Sequence, residues 1–124
     1  MIPDSSDRQT QGDFETFIIA HFAKEHIRSK NRATIRGVIT SQIQQDRTGY
    51  TFTVTTVERI RGKHHIATHH VWAKHEMSAT LNKTQYLDVV TVEGPLSSAK
   101  TIILTDLYNE SLAKRRKETV QNDA

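Results

Sequence analysis

At 124 residues the chain has room for one domain with a working core, and 35% hydrophobic against 25% charged residues describes a small fold with much of its area at the surface. The lack of cysteine excludes disulfides, thiolate metal sites and cysteine nucleophiles, while a formal charge of +3 permits an anionic partner without demanding one. No apolar run approaches a membrane span and the polar start MIPDSSDRQTQGD does not read as a signal peptide, so the expectation is a soluble, cytoplasmic protein without a membrane partner.

Residues 1–12 are polar and expected to be flexible. From Asp13, the residues Phe14, Phe17, Ile18 and Phe22 recur at spacings of three and four, the apolar stripe of a helix over 13–28. Asp13 suits its N-cap and Glu15 suits the positive end of its dipole. Three phenylalanines on one short helix call for burial, on the domain itself or against a second chain.

After RSKN the period becomes two. ATIRGVITSQI alternates as a first strand, with Ala33, Ile35, Gly37 and Ile39 on one face and Arg32, Thr34, Arg36 and Val38 on the other. Gly37 inside it suits a strand that bends sharply. The loop QQDRTG carries the turn chemistry of Asp46 and Gly49, and YTFTVTTVERI follows with strong strand composition. Tyr50, Phe52 and Val54 share one face of this second strand and Thr51, Thr53 and Thr55 the other. RGK, 61–63, reads as a hairpin turn into a third strand; HEMSATLNKT has room for a helical turn or two. YLDVVTVEG and KTIILTDL complete the set, and a charged tail over 108–124 contains KRRKE. The expected architecture is all-β: a five-stranded antiparallel barrel over 32–107, with a short helix between strands three and four and an added N-terminal helix. That is the arrangement of the oligonucleotide/oligosaccharide-binding (OB) fold, although other small barrels share the strand count.

The third strand, KHHIATHHVWAKHE, holds five of the seven histidines and the only tryptophan. A metal site is disfavoured by geometry: neighbouring histidines point to opposite faces. His65 and His69 share a face yet lie about 13 Å apart in a strand, too far for ligands about 2 Å from one zinc. No nucleophile elbow, isolated acid/base pair or glycine-rich phosphate loop occurs, so neither an enzyme nor a cofactor is expected. As a two-faced strand it places Ala67, His69, Val71 and Ala73 on a side suited to the barrel interior. Ile66, Thr68, His70, Trp72 and Lys74 lie on the other. A base stacked on Trp72 or His70 with a phosphate at Lys74 is the usual recipe for single-stranded nucleic acid. Alternation alone leaves Trp72 open to being an ordinary core residue. Arg32, Arg36, Arg47, Arg59, Arg61, Lys63 and Lys74 fall between residues 32 and 74, with only Asp46 and Glu58 as opposing acids.

The order of these pieces resembles the bacterial single-stranded DNA-binding protein family. That family's pattern is a strand ending in aromatic–Gly–Lys, a short helix beginning Ala–Glu, then Leu-x-Lys and Val-x-Val-Glu-Gly-x-Leu; here stand HHVWAKHEMSATLNK and VTVEGPL. IRGVI is similar to the family's opening strand and GYTFTVTT falls at its second, so the likeness runs from Thr34 to Leu107. It implies that Trp72 stacks on DNA, that Arg36 is a DNA-contacting cation and that Thr51, Thr53 and Thr55 lie in the same groove. It also implies that Arg47 and Tyr50 border a binding loop. Ala73 stands in place of the family's glycine and Ile66 in place of an upstream tryptophan, and no acidic C-terminal tip occurs. These departures point to a divergent, accessory member. The expected function is sequence-tolerant binding of single-stranded DNA by a homo-oligomer, dimer or tetramer, in replication, recombination or transfer of a mobile element. The alternatives are a protein-interaction OB subunit of a replication or primosome complex, or an RNA-binding OB protein.

Overall fold

The computed structural model describes residues 4–123, which fall into two units parting between Lys30 and Asn31. None of the described helices is long and apolar enough to cross a membrane.

The first unit is built on α1 (Asp4–Lys24). It begins well before Asp13, which corrects the expectation of a flexible 1–12 from Asp4 onward; residues 1–3 lie outside the described part. Residues 4–11 are polar but hold no proline or glycine, and a helix already nucleated propagates through such a run cheaply. The apolar stripe marked a face of the helix, not its start. At the far end the Ile27 N–H reaches back to the Phe22 carbonyl at 2.9 Å and His26 takes a left-handed φ of 55°, a Schellman-type stop.

The second unit is a seven-stranded sheet: β1 (Ala33–Ile39), β2 (Gln44–Gln45), β3 (Tyr50–Ile60), β4 (Lys63–Ala73), β5 (Val89–Gly94), β6 (Ile102–Ile103) and β7 (Asp106–Asn109). A 3₁₀ turn (His75–Met77) and α2 (Ser78–Leu81) lie between β4 and β5, and α3 (Glu110–Asp123) follows β7. The strand order is β6-β4-β3-β1-β5-β7, with β2 pairing β3. Seven strands replace the expected five because Gln44–Gln45 forms a short strand of its own against β3, and because the segment KTIILTDL divides. Its first part pairs parallel with β4 and its second antiparallel with β5. The two ends of the sheet are therefore joined by consecutive residues, and the sheet curls into a partly open barrel.

Alternation fills the interior. Ile39, Phe52, Val54, Val71, Ala73, Val90, Val92, Ile102 and Leu104 are buried, with Leu81 of α2 closing one end. Gly37 is where β1 coils most tightly, since a Cβ there would run into the Thr55 carbonyl oxygen. Beyond this core β3 and β4 continue as a free two-stranded hairpin. Ala67 and His69 share the face of Val71 and Ala73, yet Ala67 is exposed and His69 only half-buried. They are not packed interior, because β1 pairs with β3 only at Val38 and Ile39; their face lines an open cleft together with Ile35 and Gly37 of β1.

The charged tail expected over 108–124 is instead the end of β7 and a helix. Asn109 caps α3 by accepting from the Leu112 N–H at 2.9 Å, and Arg115 ties α3 to the barrel through both oxygens of Asp88, at 2.7 and 3.1 Å. Asp88 is 4% exposed and also accepts from Asn109 and from the Gln85 N–H. Burial pushes its carboxyl up, but the bonds from Arg115, Asn109 and Gln85 outweigh that and hold it at about 2, below the ordinary 3.8. A carboxylate lowered on folding stabilises the fold above its unfolded pKa and loses that stabilisation as pH falls through its folded one. Asp88 therefore contributes roughly 2 kcal/mol at neutral pH that disappears between about pH 4 and pH 2. Urea unfolding of the wild type and of Asp88→Asn across this range should show their stability gap narrowing with acid. A gap that stays constant would mean that Asp88 is not the responsible group.

Candidate nucleic-acid interface

The pairing of β3 with β4 sets which side chains meet on the outer face. Successive rows are Thr51 with Trp72, Thr53 with His70, Thr55 with Thr68, Val57 with Ile66 and Arg59 with His64. Directly opposed residues of an antiparallel pair share a face, so Trp72, two imidazoles and four threonines lie along one surface, with Val57 and Ile66 between the threonines and the tip. Tyr50 does not join them. It belongs to the inner set with Phe52 and Val54, is 8% exposed, and meets His75 edge-on at 5.7 Å between ring centres. Tyr50 follows directly on the Asp46 turn, as expected of a residue bordering that loop, but its ring turns inward.

Trp72 is half-buried, one edge held by a hydrogen bond from its Nε1 to the Thr48 hydroxyl at 3.2 Å. Thr48 is placed by the Asp46 turn, whose carboxylate accepts from the Thr48 N–H and hydroxyl and the Gly49 N–H. These bonds, the hydroxyl's foremost, hold the Asp46 carboxyl below its usual range. Arg47 and Lys74 are exposed on either side of this turn. The Arg47 carbonyl lies 2.9 Å from His75 Nε2, so a histidine outside the strand braces the loop.

The threonine hydroxyls are partly spent on one another. Thr40 Oγ1 lies 2.9 Å from that of Thr53 and 2.7 Å from that of Thr55, and the Thr55 hydroxyl lies 3.3 Å from that of Thr68. Beside Thr51, Thr53 and His70 the surface dips, and the dip is completed by Ser41, Gln42 and Thr101. Sequence reasoning gave these three no role, having set Ser41 and Gln42 in the first strand and Thr101 in the last; in the structure β1 ends at Ile39 and β6 begins at Ile102, so all three lie in connections. The polar run SQIQQ before the Asp46 turn was the available signal.

The cations divide into two groups. Arg36 is clamped on its Nε and Nη2 by the Glu110 carboxylate at 2.6 and 3.0 Å, and Arg32 bonds Glu93 at 3.1 Å and the Thr105 hydroxyl at 2.8 Å. The hydrogen bond from Arg36 lowers the Glu110 carboxyl, and the same bond raises the guanidinium. Arg59, Arg61 and Lys63 are exposed at the far tip of the hairpin, a two-residue turn with Arg61 at φ 52° and Gly62 at φ 79°. Lys63 lies nine residues from Trp72 along one strand, about 30 Å. The basic residues grouped in the sequence are thus divided between β1, the hairpin tip and the turn beside Trp72 rather than gathered in one patch. Among the described residues no three histidine, aspartate or glutamate side chains converge on a point where a metal ion would sit.

No protein-family model and no curated protein sequence matches the chain. Among solved structures it resembles a small single-stranded DNA-binding protein from Mycoplasma pneumoniae (TM-score 0.53, 20% identity, covering 66% of this chain and 88% of that one). It also resembles a mitochondrial single-stranded DNA-binding protein of S. cerevisiae (TM-score 0.56, 13% identity, covering 68% and 98%). A third is the PriB protein of Ralstonia solanacearum (TM-score 0.53, 10% identity, covering 66% and 100%). At such identities the likeness is one of fold: the chain carries an OB barrel of the form found in small single-stranded DNA-binding proteins.

Proposed function

We propose that the outer face of β3 and β4 binds single-stranded DNA without sequence preference and catalyses nothing. The observation that supports this best is the placement of Trp72, half-exposed and in register with Thr51, one row from His70 and Thr53, on the outside of an OB barrel. A base stacks on the indole, whose edge is already fixed by Thr48, so little side-chain entropy is lost on binding. Lys74 and Arg47 meet phosphates beside it, and Arg59, Arg61 and Lys63 add positive charge at the hairpin tip. Arg36 and Arg32 contribute by exchange, a phosphate replacing the carboxylate of Glu110 or Glu93. Accessory work in replication, recombination or transfer of a mobile element, carried out by a homo-oligomer, completes this reading.

A second reading is a protein-interaction OB subunit, favoured by the opposed pair Val57 and Ile66, which are 61% and 72% exposed on the hairpin. Titration separates the two. Trp72 fluorescence should be quenched by oligothymidine, less so at high salt, and little by duplex DNA. Equal or stronger quenching by oligouridine would move the assignment to RNA, and no response to any of the three would favour the protein partner. With a labelled oligothymidine, Trp72→Ala should weaken binding by about 5- to 150-fold, the worth of one stacked base.

One electrostatic outcome follows from the same geometry. Glu110→Gln releases Arg36 without a change of shape, so affinity should rise up to about fivefold, as for an exposed ion pair, with a steeper salt dependence. Unchanged affinity and salt slope would remove Arg36 from the path of the strand.

A further inference from the structure

The outer face does not end at Arg36. Registration carries it across two more strands, since Arg36 pairs with Thr91 of β5 and Thr91 with Tyr108 of β7. At strand spacings of about 4.8 Å this row sets Tyr108 about 10 Å from Arg36, on the same outer side. Tyr108 is 60% exposed, an unusual expense of aromatic surface for a residue in a paired strand. It borders a groove between α2 and α3 that is also lined by the exposed cations Lys83 and Arg116 and by the half-buried Leu107 and Leu112. The residues lining this groove include no carboxylate.

The groove walls are held in place. Arg115, turned toward the barrel, pairs with Asp88 and also donates to the Lys83 carbonyl at 3.5 Å, which ties the end of α2 to α3. Arg116, the next residue, is exposed and unburdened by any recorded ion pair among the described residues. An exposed ring sharing one groove with two cations and apolar side chains offers the two contacts that a single strand requires, stacking for a base and charge for its phosphates.

We propose that Tyr108, Lys83 and Arg116 form a second nucleotide subsite, which a single DNA strand reaches by continuing from Trp72 past Arg36 and around the barrel. This rests on the single-stranded DNA reading of the Trp72 face and extends it, from one platform to a path with an aromatic at each end. The path makes binding depend on length: a short oligomer satisfies Trp72 alone, and only a longer one reaches Tyr108.

The test is labelled oligothymidine of about 10 and about 30 nucleotides against wild type, Tyr108→Ala, Tyr108→Phe and the double variant Lys83→Ser with Arg116→Ser. Tyr108→Ala should weaken the longer oligomer about tenfold and leave the shorter unchanged, and Tyr108→Phe should restore the loss. The double variant should lower the salt slope for the longer oligomer alone. If wild type binds both lengths and Tyr108→Ala weakens both equally, or neither, the subsite is overturned while the Trp72 reading stands. If wild type binds neither length, both fall. Capture of a polyglutamate peptide lost in the double variant, with DNA binding intact, would give the groove to an acidic protein partner and overturn the proposal. Unchanged thermal melting in Tyr108→Ala is the control for folding.

Discussion

Between β4 and β5 the sheet has no ladder; two consecutive residues close it instead. The Leu104 N–H bonds the Trp72 carbonyl at 2.8 Å, and the Thr105 N–H bonds the Glu93 carbonyl at 2.8 Å, so two adjacent peptide units span the seam. The seam is tight. A Cβ on Gly94 would run into the Ile103 carbonyl oxygen, which is why the turn out of β5 needs glycine. Leu104, 2% exposed, plugs the interior at the same point. Because the Trp72 carbonyl is engaged here, the end of β4 is pinned and its alternation decided: Val71 and Ala73 inward, Trp72 outward. The candidate stacking platform is thus a by-product of barrel closure.

The seam also organises charge. The Thr105 hydroxyl donates to the Glu93 carbonyl and accepts from Arg32, whose guanidinium reaches the Glu93 carboxylate. Two of the three ion pairs among the described residues, Arg32–Glu93 and Arg36–Glu110, have arginine side chains 52% and 66% exposed, and exposed pairs are worth little to stability. A phosphate arriving at either replaces one anion by another at small cost. Arg115–Asp88 differs in kind, because the Asp88 side chain is 5% exposed and an unpaired carboxylate there would be heavily penalised. Similar chemistry therefore serves as exchangeable surface in one place and as a structural bolt in another, and burial alone separates the two.

Much of the barrel was legible because strands of this kind announce themselves by parity. Thr51, Thr53 and Thr55 alternate with Tyr50, Phe52 and Val54, and that pattern already separates an outer from an inner face. Tyr50 shows both readings at once: it shares the face of Phe52 and Val54 and it stands next to the Asp46 turn. The break of KTIILTDL at Leu104 was not legible, since the residues favour a strand throughout and the division depends on which neighbours lie on each side. Nor was α3, a polar helix without an apolar stripe, whose anchor is a contact between Arg115 and Asp88, 27 positions apart.

Sequence by itself determined the alternation of the long strands and the turns at Asp46 and Gly62, and so grouped Trp72 with His70 on one face and the threonines of β3 on one face, without deciding which side is outermost. These depend on neighbours along the chain and on local backbone preference, which composition and spacing carry. Tertiary structure alone decided where the barrel ends and the free hairpin begins, which arginines are already matched by carboxylates, and that Tyr108 shares a row with Arg36. Those outcomes depend on pairings between segments far apart in the chain, whose register is set by the closing of the barrel and by no pattern within either segment.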